Sequence, residues 1–556
     1  MNKVIDDNYY DLIINNVIVP SYDTGDNITY INETNSLLHV FNDQNSPCDL
    51  GRQPYHRFPS IFTLESDISM EKSNIGRVQR NPHLGLYGLG VIVGIIDTGI
   101  DYEHPAFRHN DGTTRILHIW DQSIQEGKAP EGFTFGSEYN SEQINIALQS
   151  SNPLTMVPSV DTNGHGTAIA SIIAGKEKSG DSFSGIVPDS EIVVVKLKRA
   201  KKNLHNIFFI QEDVECYQES DILLGLRYLL MVSKKLNRPL AICVALGTSQ
   251  SGHDGRGATS TYLDYLSRTS RIGLAIPAGN EGNTQRHYFG RINSTSGYQE
   301  FELRVDEKDK LFWMEIWPDP IARLAIEIIT PTGESTKFIY PTRDGCVENK
   351  FIYSRSIVWV NNIVLEEETG NQLILLRFSN PVQGIWRFRV ENIEAETFSF
   401  NVWLPSGEII SKDTYFLNPD PNTTITESGN AKSLLTVTAY NQNTESILLE
   451  SSRGYTRSGV VKPDVAAPGY NLTCALPNNR YGTLTGTGAA TAHTVGIIAM
   501  VLEWAVVRGN YTSITGNNIN TLIIRGARRK DTLIYPNNIW GYGEIDAYAL
   551  FVRLTI

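Results

Sequence analysis

Cysteine is scarce and scattered in this chain of 556 residues: there are five, Cys48, Cys216, Cys243, Cys346 and Cys474, with no CxxC pair. Such a set argues against a zinc ribbon or a disulfide framework and fits reduced thiols made in a cytosol. Basic charge is also short. Lysine and arginine number 48 against 61 acidic residues, a formal charge of −13. The one dense basic run, Lys198 to Lys202, reads as a solvated loop, so nucleic acid is not expected as a partner. No run reaches the roughly 18 apolar residues of a membrane span. The most apolar helix-like stretch, Val495 to Val507, contains Glu503 and reads as a buried helix. The first residues carry Asp6, Asp7 and Asp11 rather than a basic segment, so no secretory signal is expected there.

What is present is an ordinary globular composition, 41% hydrophobic and 20% charged, long enough for two to four domains. Residues 1–66 stand apart: Asp11 to Pro20 and Thr29 to Phe41 alternate as short strands of a small α/β unit would. From there the texture changes. Val91 to Ile96, Ile192 to Leu197 and Leu240 to Ala245 are continuous, apolar and rich in β-branched residues, with a helical pattern over Ser220 to Lys235. Buried strands alternating with helices predict an α/β fold, a parallel sheet with helices on both faces. Over 289–415 the pattern becomes all-β, with six or more short alternating strands separated by turns such as Thr332-Gly333 and Pro405-Ser406-Gly407. That segment is predicted to be a β-sandwich inserted into an α/β domain made of residues 67–288 and 416–556.

Three segments carry candidate chemistry. Asp97, in Ile95-Ile96-Asp97-Thr98-Gly99, ends a buried strand, where open α/β sheets place active groups. An aspartic protease would need a second such triplet on a strand, and Asp23-Thr24-Gly25 lacks the apolar strand. His165, in Asn163-Gly164-His165-Gly166-Thr167, is flanked by glycines at a helix start, which suits a general base held near Asp97. The third is Leu484-Thr485-Gly486-Thr487-Gly488-Ala489-Ala490-Thr491-Ala492, which opens the apolar helix. A nucleophile there would gain from the helix dipole and from backbone amides aimed at an oxyanion.

In this order the three segments resemble the DTG, HGT and GTSMAAP motifs of subtilisin-like serine proteases. The resemblance assigns Asp97 the orienting role and His165 the base, and it puts Gly488 where the nucleophilic serine belongs. Asn280, in Ala278-Gly279-Asn280-Glu281-Gly282, matches the oxyanion-hole asparagine, and Ala245, Leu246 and Gly247 match the strand that pairs with a substrate backbone. Trp120-Asp121-Gln122, Ile144 to Gln149 and the 208-residue separation of Asn280 and Gly488 resemble the Csp subtilases of clostridial spores, with a short prodomain and an inserted jelly roll. Retained Asp and His with a lost Ser look most like the CspC-type pseudoproteases of that group.

The resemblance implies a protein of spore germination, made in the cytoplasm of the sporulating cell and deposited in the spore. It would be catalytically dead and would regulate by binding an active Csp protease, a cortex-lytic pro-enzyme or a small-molecule germinant. The alternative is an endopeptidase with residual activity that processes the pro-enzyme. Thr485 and Thr487 are the nearest replacement hydroxyls, but the motif already has a threonine at 487, so rescue is not expected. A chain that cannot cut itself should keep residues 1–66 attached, with Phe62 to Glu65 in the groove. The jelly roll is expected to stiffen the α/β body. No cofactor or metal is expected.

Overall fold

The computed structural model describes residues 2–17, 27–42, 53–65, 75–79, 84–176, 183–293, 297–343, 345–394 and 396–554. Its centre is a nine-stranded sheet. The order runs Ser446–Ile447, Leu435–Asn441, Ile272–Pro277, Leu240–Val244, Ile92–Asp97, Glu191–Lys196, Ile116–Asp121 and Ser137–Asn140, with Val465–Pro468 also paired to Leu435–Asn441. The pairs from Ile116–Asp121 through to Val465–Pro468 are parallel, and only the two short edge strands run antiparallel.

The continuous apolar runs follow from burial on both faces. Val93, Ile95, Val194 and Ala241 pack with Ile169 of the helix His165–Ala174 and Ile498 of the helix Thr487–Leu502. Ile92, Ile96, Val193 and Ile242 pack on the opposite side with Leu223 and Leu226 of Glu219–Leu236 and Leu263 of Ala258–Ser267. Side chains alternate by two along a strand, so covering both faces removes the polar half of the pattern.

Thr487–Val507 is long and apolar enough to cross a membrane, yet 83% of its 18-residue apolar window is buried inside the protein. Its one acidic residue, Glu503, accepts hydrogen bonds from the Tyr87 and Gly88 amides at 2.9 and 2.7 Å. A carboxylate satisfied in this way is tolerated in a core. The last turn widens into a π-helical segment, Glu503–Val507.

In the N-terminal unit, Tyr9–Asn15 pairs antiparallel with Asn35–Phe41, which also pairs with Ile28–Tyr30. Pro20, the triplet Asp23 to Gly25 and Cys48 lie outside the described residues, and the described residues of this unit hold strands and a single 3-10 turn, Tyr55–Arg57, but no α-helix. This unit also corrects the reading of the basic run. Lys201 is buried and its Nζ lies 2.8 Å from Asp11 Oδ2, while Lys198 pairs with Asp221 at 2.7 Å. Asp11 also takes His39 at 2.7 Å and Gln218 at 3.1 Å. Burial alone would raise the Asp11 carboxyl, but Lys201 and His39 together hold it below its ordinary range. Charge density on a sequence is silent about a partner 190 residues away, and here Lys198 and Lys201 are buried at an interface while Arg199 and Lys202 remain exposed.

The insert is a sandwich of two antiparallel sheets. The six-stranded one has the order His287–Ile292, Phe398–Trp403, Leu311–Pro318, Leu373–Ser379, Ile357–Ile363 and Cys346–Lys350. The four-stranded one has Leu324–Ile329, Gly384–Asn392, Tyr298–Val305 and Tyr415–Phe416. It does more than pack on the α/β body. Tyr55 donates from its hydroxyl to Glu315 Oε1 at 2.6 Å, while Ser251 N and Trp317 Nε1 donate to Oε2 at 3.1 and 2.9 Å. Three parts of the chain thus meet on one buried carboxylate, which burial raises to about 7. Cys346 is disulfide-bonded, contrary to the expectation of five reduced thiols. Spacing along a sequence does not report which Cβ atoms face each other in space.

Candidate active site

Asp97 closes its strand fully buried, and Oδ1 accepts the Thr98 amide at 2.7 Å. His165 opens the helix His165–Ala174, and its Nδ1 lies 2.7 Å from the same Oδ1. A carboxylate at Nδ1 holds the proton there and leaves Nε2 as the basic nitrogen. Both flanking glycines are required. Gly164 caps the helix with φ +92°, and a Cβ on Gly166 would sit 2.2 Å from the Gly99 carbonyl oxygen.

Asp161 was not singled out from the sequence, yet it ties this half of the site together. Oδ1 accepts from Thr98 Oγ1 and Gly164 N, both at 2.8 Å, and Oδ2 accepts from Thr167 N at 2.9 Å and Thr167 Oγ1 at 2.7 Å. Thr98 Oγ1 in turn accepts the Gly166 amide at 2.9 Å. One carboxylate therefore fastens the Asp97 turn to the His165 helix. Its place four residues before His165, where it can reach the helix's first free amides, was the available signal.

Gly488 is the second residue of Thr487–Leu502 and has ordinary helical backbone, which serine adopts without strain. Before it, Thr487 is fully engaged. Its amide and its Oγ1 both donate to Asn280 Oδ1 at 3.1 Å, and Oγ1 accepts the Gly279 amide at 3.2 Å. The structure thus brings Asn280 to the residue beside Gly488 and turns the Thr487 hydroxyl away from reagent duty.

Residues 61–65 run through this region. Ile61–Leu64 lies between two short strands, antiparallel to both. Thr63 and Leu64 pair with Gly247 and Leu246, and Ile61 and Phe62 pair with Gln218 and Tyr217. Glu65 N donates to Ala245 O at 3.1 Å, and Ile61 N to Gln250 Oε1 at 2.7 Å. Ala245, Leu246 and Gly247 therefore pair with an extended segment of the chain itself. Tyr217, Gln218 and Gln250 complete that frame; a two-residue strand before a helix leaves no periodic signal, so sequence reasoning missed them. Glu65, Asn163, Asn280 and Glu281 share the wall of a cavity of about 840 Å³.

Comparison with known proteins bears on this geometry. The family model described as the subtilase family, Peptidase_S8, matches residues 88–299 and 413–543. The chain belongs to the subtilase family. The unmatched stretch between those segments, 300–412, holds most of the inserted sandwich. Among curated subtilases, C5a peptidase of Streptococcus pyogenes is 20% identical over 74% of this chain, and the chain spans about a third of such relatives' length. Subtilisin-like protease SBT3 of Solanum lycopersicum is 23% identical over 84% of this chain and 64% of its own. The Clostridium perfringens CspB protease structure matches with a TM-score of 0.77 at 27% identity, covering 87% of this chain and 99% of that one. The subtilisin-like α/β fold with an extra β-domain is thereby shared with a Csp protease.

Proposed function

We propose that this subtilase is a pseudoprotease of the Csp kind that regulates spore germination by binding. The observation that carries the reading is Gly488 at the start of the helix Thr487–Leu502, which packs against the helix His165–Ala174, while the Asp97–His165 pair is assembled. Glycine offers no atom to attack a carbonyl, so no acyl-enzyme forms. In subtilisin, loss of the serine costs about 10⁶-fold in kcat. Thr487 does not replace it, because its hydroxyl is committed to Asn280 and Gly279.

In this reading Ile61 to Glu65 is the prodomain's own segment in the substrate groove, uncut and still attached. The chain is made in the sporulating cell and carried in the spore, where it holds an active Csp protease, a cortex-lytic pro-enzyme or a small-molecule germinant. The likeness to the CspB protease over nearly all of that chain supports the placement among Csp proteins. A second reading, residual endopeptidase action on a cortex-lytic pro-enzyme, is favoured by the retained Asp97–His165 hydrogen bond. Co-purification from spores and a peptidase assay of the unaltered chain decide between them. A bound Csp partner with no hydrolysis supports the first; hydrolysis that survives removal of contaminating proteases overturns it.

A further inference from the structure

Glu65 is almost fully buried, although it ends an extended segment lying beside a large cavity. The charge that acts on it across the shared cavity wall is another acid, Glu281. Glu281, also buried, accepts from Gly407 N at 3.1 Å and Thr284 Oγ1 at 2.8 Å. Among the described residues, the backbone hydrogen bond from Asn280 is what favours the ionised form of Glu65. A Cβ on Gly247 would lie 2.7 Å from Glu65 Oε1, so the carboxyl is clamped against the strand it pairs with.

The rest of the wall does not relieve it. Asp213 and Glu215 approach from the segment before Tyr217, Glu408 from the base of the insert and Glu450 from the loop after Ser446–Ile447. Among the described residues of the wall, two cations face these acids. Arg286 stands 3.8 Å from Glu281 and gives its donors to the carbonyls of Pro405, Gly407 and Ile410; Lys412 lines the same wall without an ion pair to Glu65. Burial first, and then the Glu281 charge, push the Glu65 carboxyl well above its ordinary range.

We propose that Glu65 is a proton-held latch: the Ile61–Glu65 segment stays docked while Glu65 keeps its proton and loosens when it ionises beside Glu281. The inference rests on the reading of this segment as the groove's occupant. The docked acid holds its proton more tightly than the released one. Docking is therefore strongest below the free carboxyl's value of about 4.3 and weakens as pH rises toward the docked value, by up to about tenfold per pH unit.

Hydrogen exchange on the full chain between pH 5 and 8, corrected for intrinsic rates, tests this at the amides of Ile61 to Glu65, with Ile92–Asp97 as the reference strand. Protection is expected to fall by up to about tenfold per unit at the segment alone. Glu65→Gln is expected to make it flat, and Glu281→Gln to shrink the total fall. Protection that is flat in the unaltered chain, or a slope that survives in Glu65→Gln, overturns the latch and leaves the groove reading standing. Amides unprotected at every pH overturn both.

Discussion

The two halves of the site have parted ways. On one side, Asp97, Thr98, Asp161, Gly164, His165, Gly166 and Thr167 form a closed set of hydrogen bonds between 2.7 and 2.9 Å. On the other, the helix start at Thr487 keeps its backbone and its tie to Asn280, but has Gly488 followed by Ala489, with Ala492 further on. The acid–base half also joins a strand to a helix, so losing any member costs stability. The nucleophile contributes chemistry alone. A serine hydroxyl can vanish without disturbing the fold, whereas Asp161 cannot, and under the proposed pseudoprotease reading that asymmetry accounts for a base kept assembled with no hydroxyl at position 488.

The sharpest way to break the comparison is Gly488→Ser. If the halves still face each other, peptidase activity should rise by as much as about 10⁶-fold over the unaltered chain, followed with a chromogenic peptide, and the chain should separate into two fragments at the end of the paired segment. A silent variant that binds a peptide inhibitor as before would place the decay at Ala489 and Ala492 as well. Next in size is Asp161→Ala, which strands the Gly164 and Thr167 amides and both threonine hydroxyls. Bonds to a charged acceptor contribute about 1.5–3 kcal/mol each and are not additive, so a loss on the order of 3 kcal/mol is expected in the urea midpoint. A loss below about 1 kcal/mol would show that the acid–base half is not the structural one.

Lys201→Met probes a third region against these two. It leaves Asp11 buried with His39 and Gln218 but without its ammonium, and breaking such a pair costs about 3–5 kcal/mol. Some of this is taken up by Asp11 gaining a proton, so the effect should fall below that of Asp161→Ala near neutral pH. In the unaltered chain the Asp11 carboxyl is held low, so its stabilisation is full above about pH 4 and fades as acid titrates it. Thermal unfolding between pH 2 and 5 reads that loss, which should be smaller in Lys201→Met.

Much of this was legible before any coordinates. Buried strands such as Ile92–Asp97 and Leu240–Val244 announce themselves because both faces are apolar, and a glycine-flanked histidine reads as a close approach because only glycine permits it. Short pairings did not show. Tyr217–Gln218 and Leu246–Gly247 are two-residue strands whose existence depends on the segment lying between them. The Lys198 to Lys202 run was misread for a related reason, since burial of a lysine is decided by a distant aspartate. Strands His287–Ile292, Cys346–Lys350 and Ile357–Ile363 of the insert escaped notice as well, the second because its residues are mostly exposed and alternate weakly.

The smallest expected effect is Thr487→Val, and it sharpens the comparison from the quiet side. Valine keeps the shape and the amide bond to Asn280 Oδ1, and removes only the hydroxyl shared between Gly279 N and Asn280. About 1 kcal/mol of stability should go, seen as a small shift in urea midpoint with an unchanged m-value. Peptide hydrolysis by the otherwise unaltered chain should not change, because a hydroxyl holding two partners is not poised to attack a third. If trace hydrolysis exists and Thr487→Val abolishes it, the threonine has been acting for the missing serine, and the nucleophile half is less empty than Gly488 suggests.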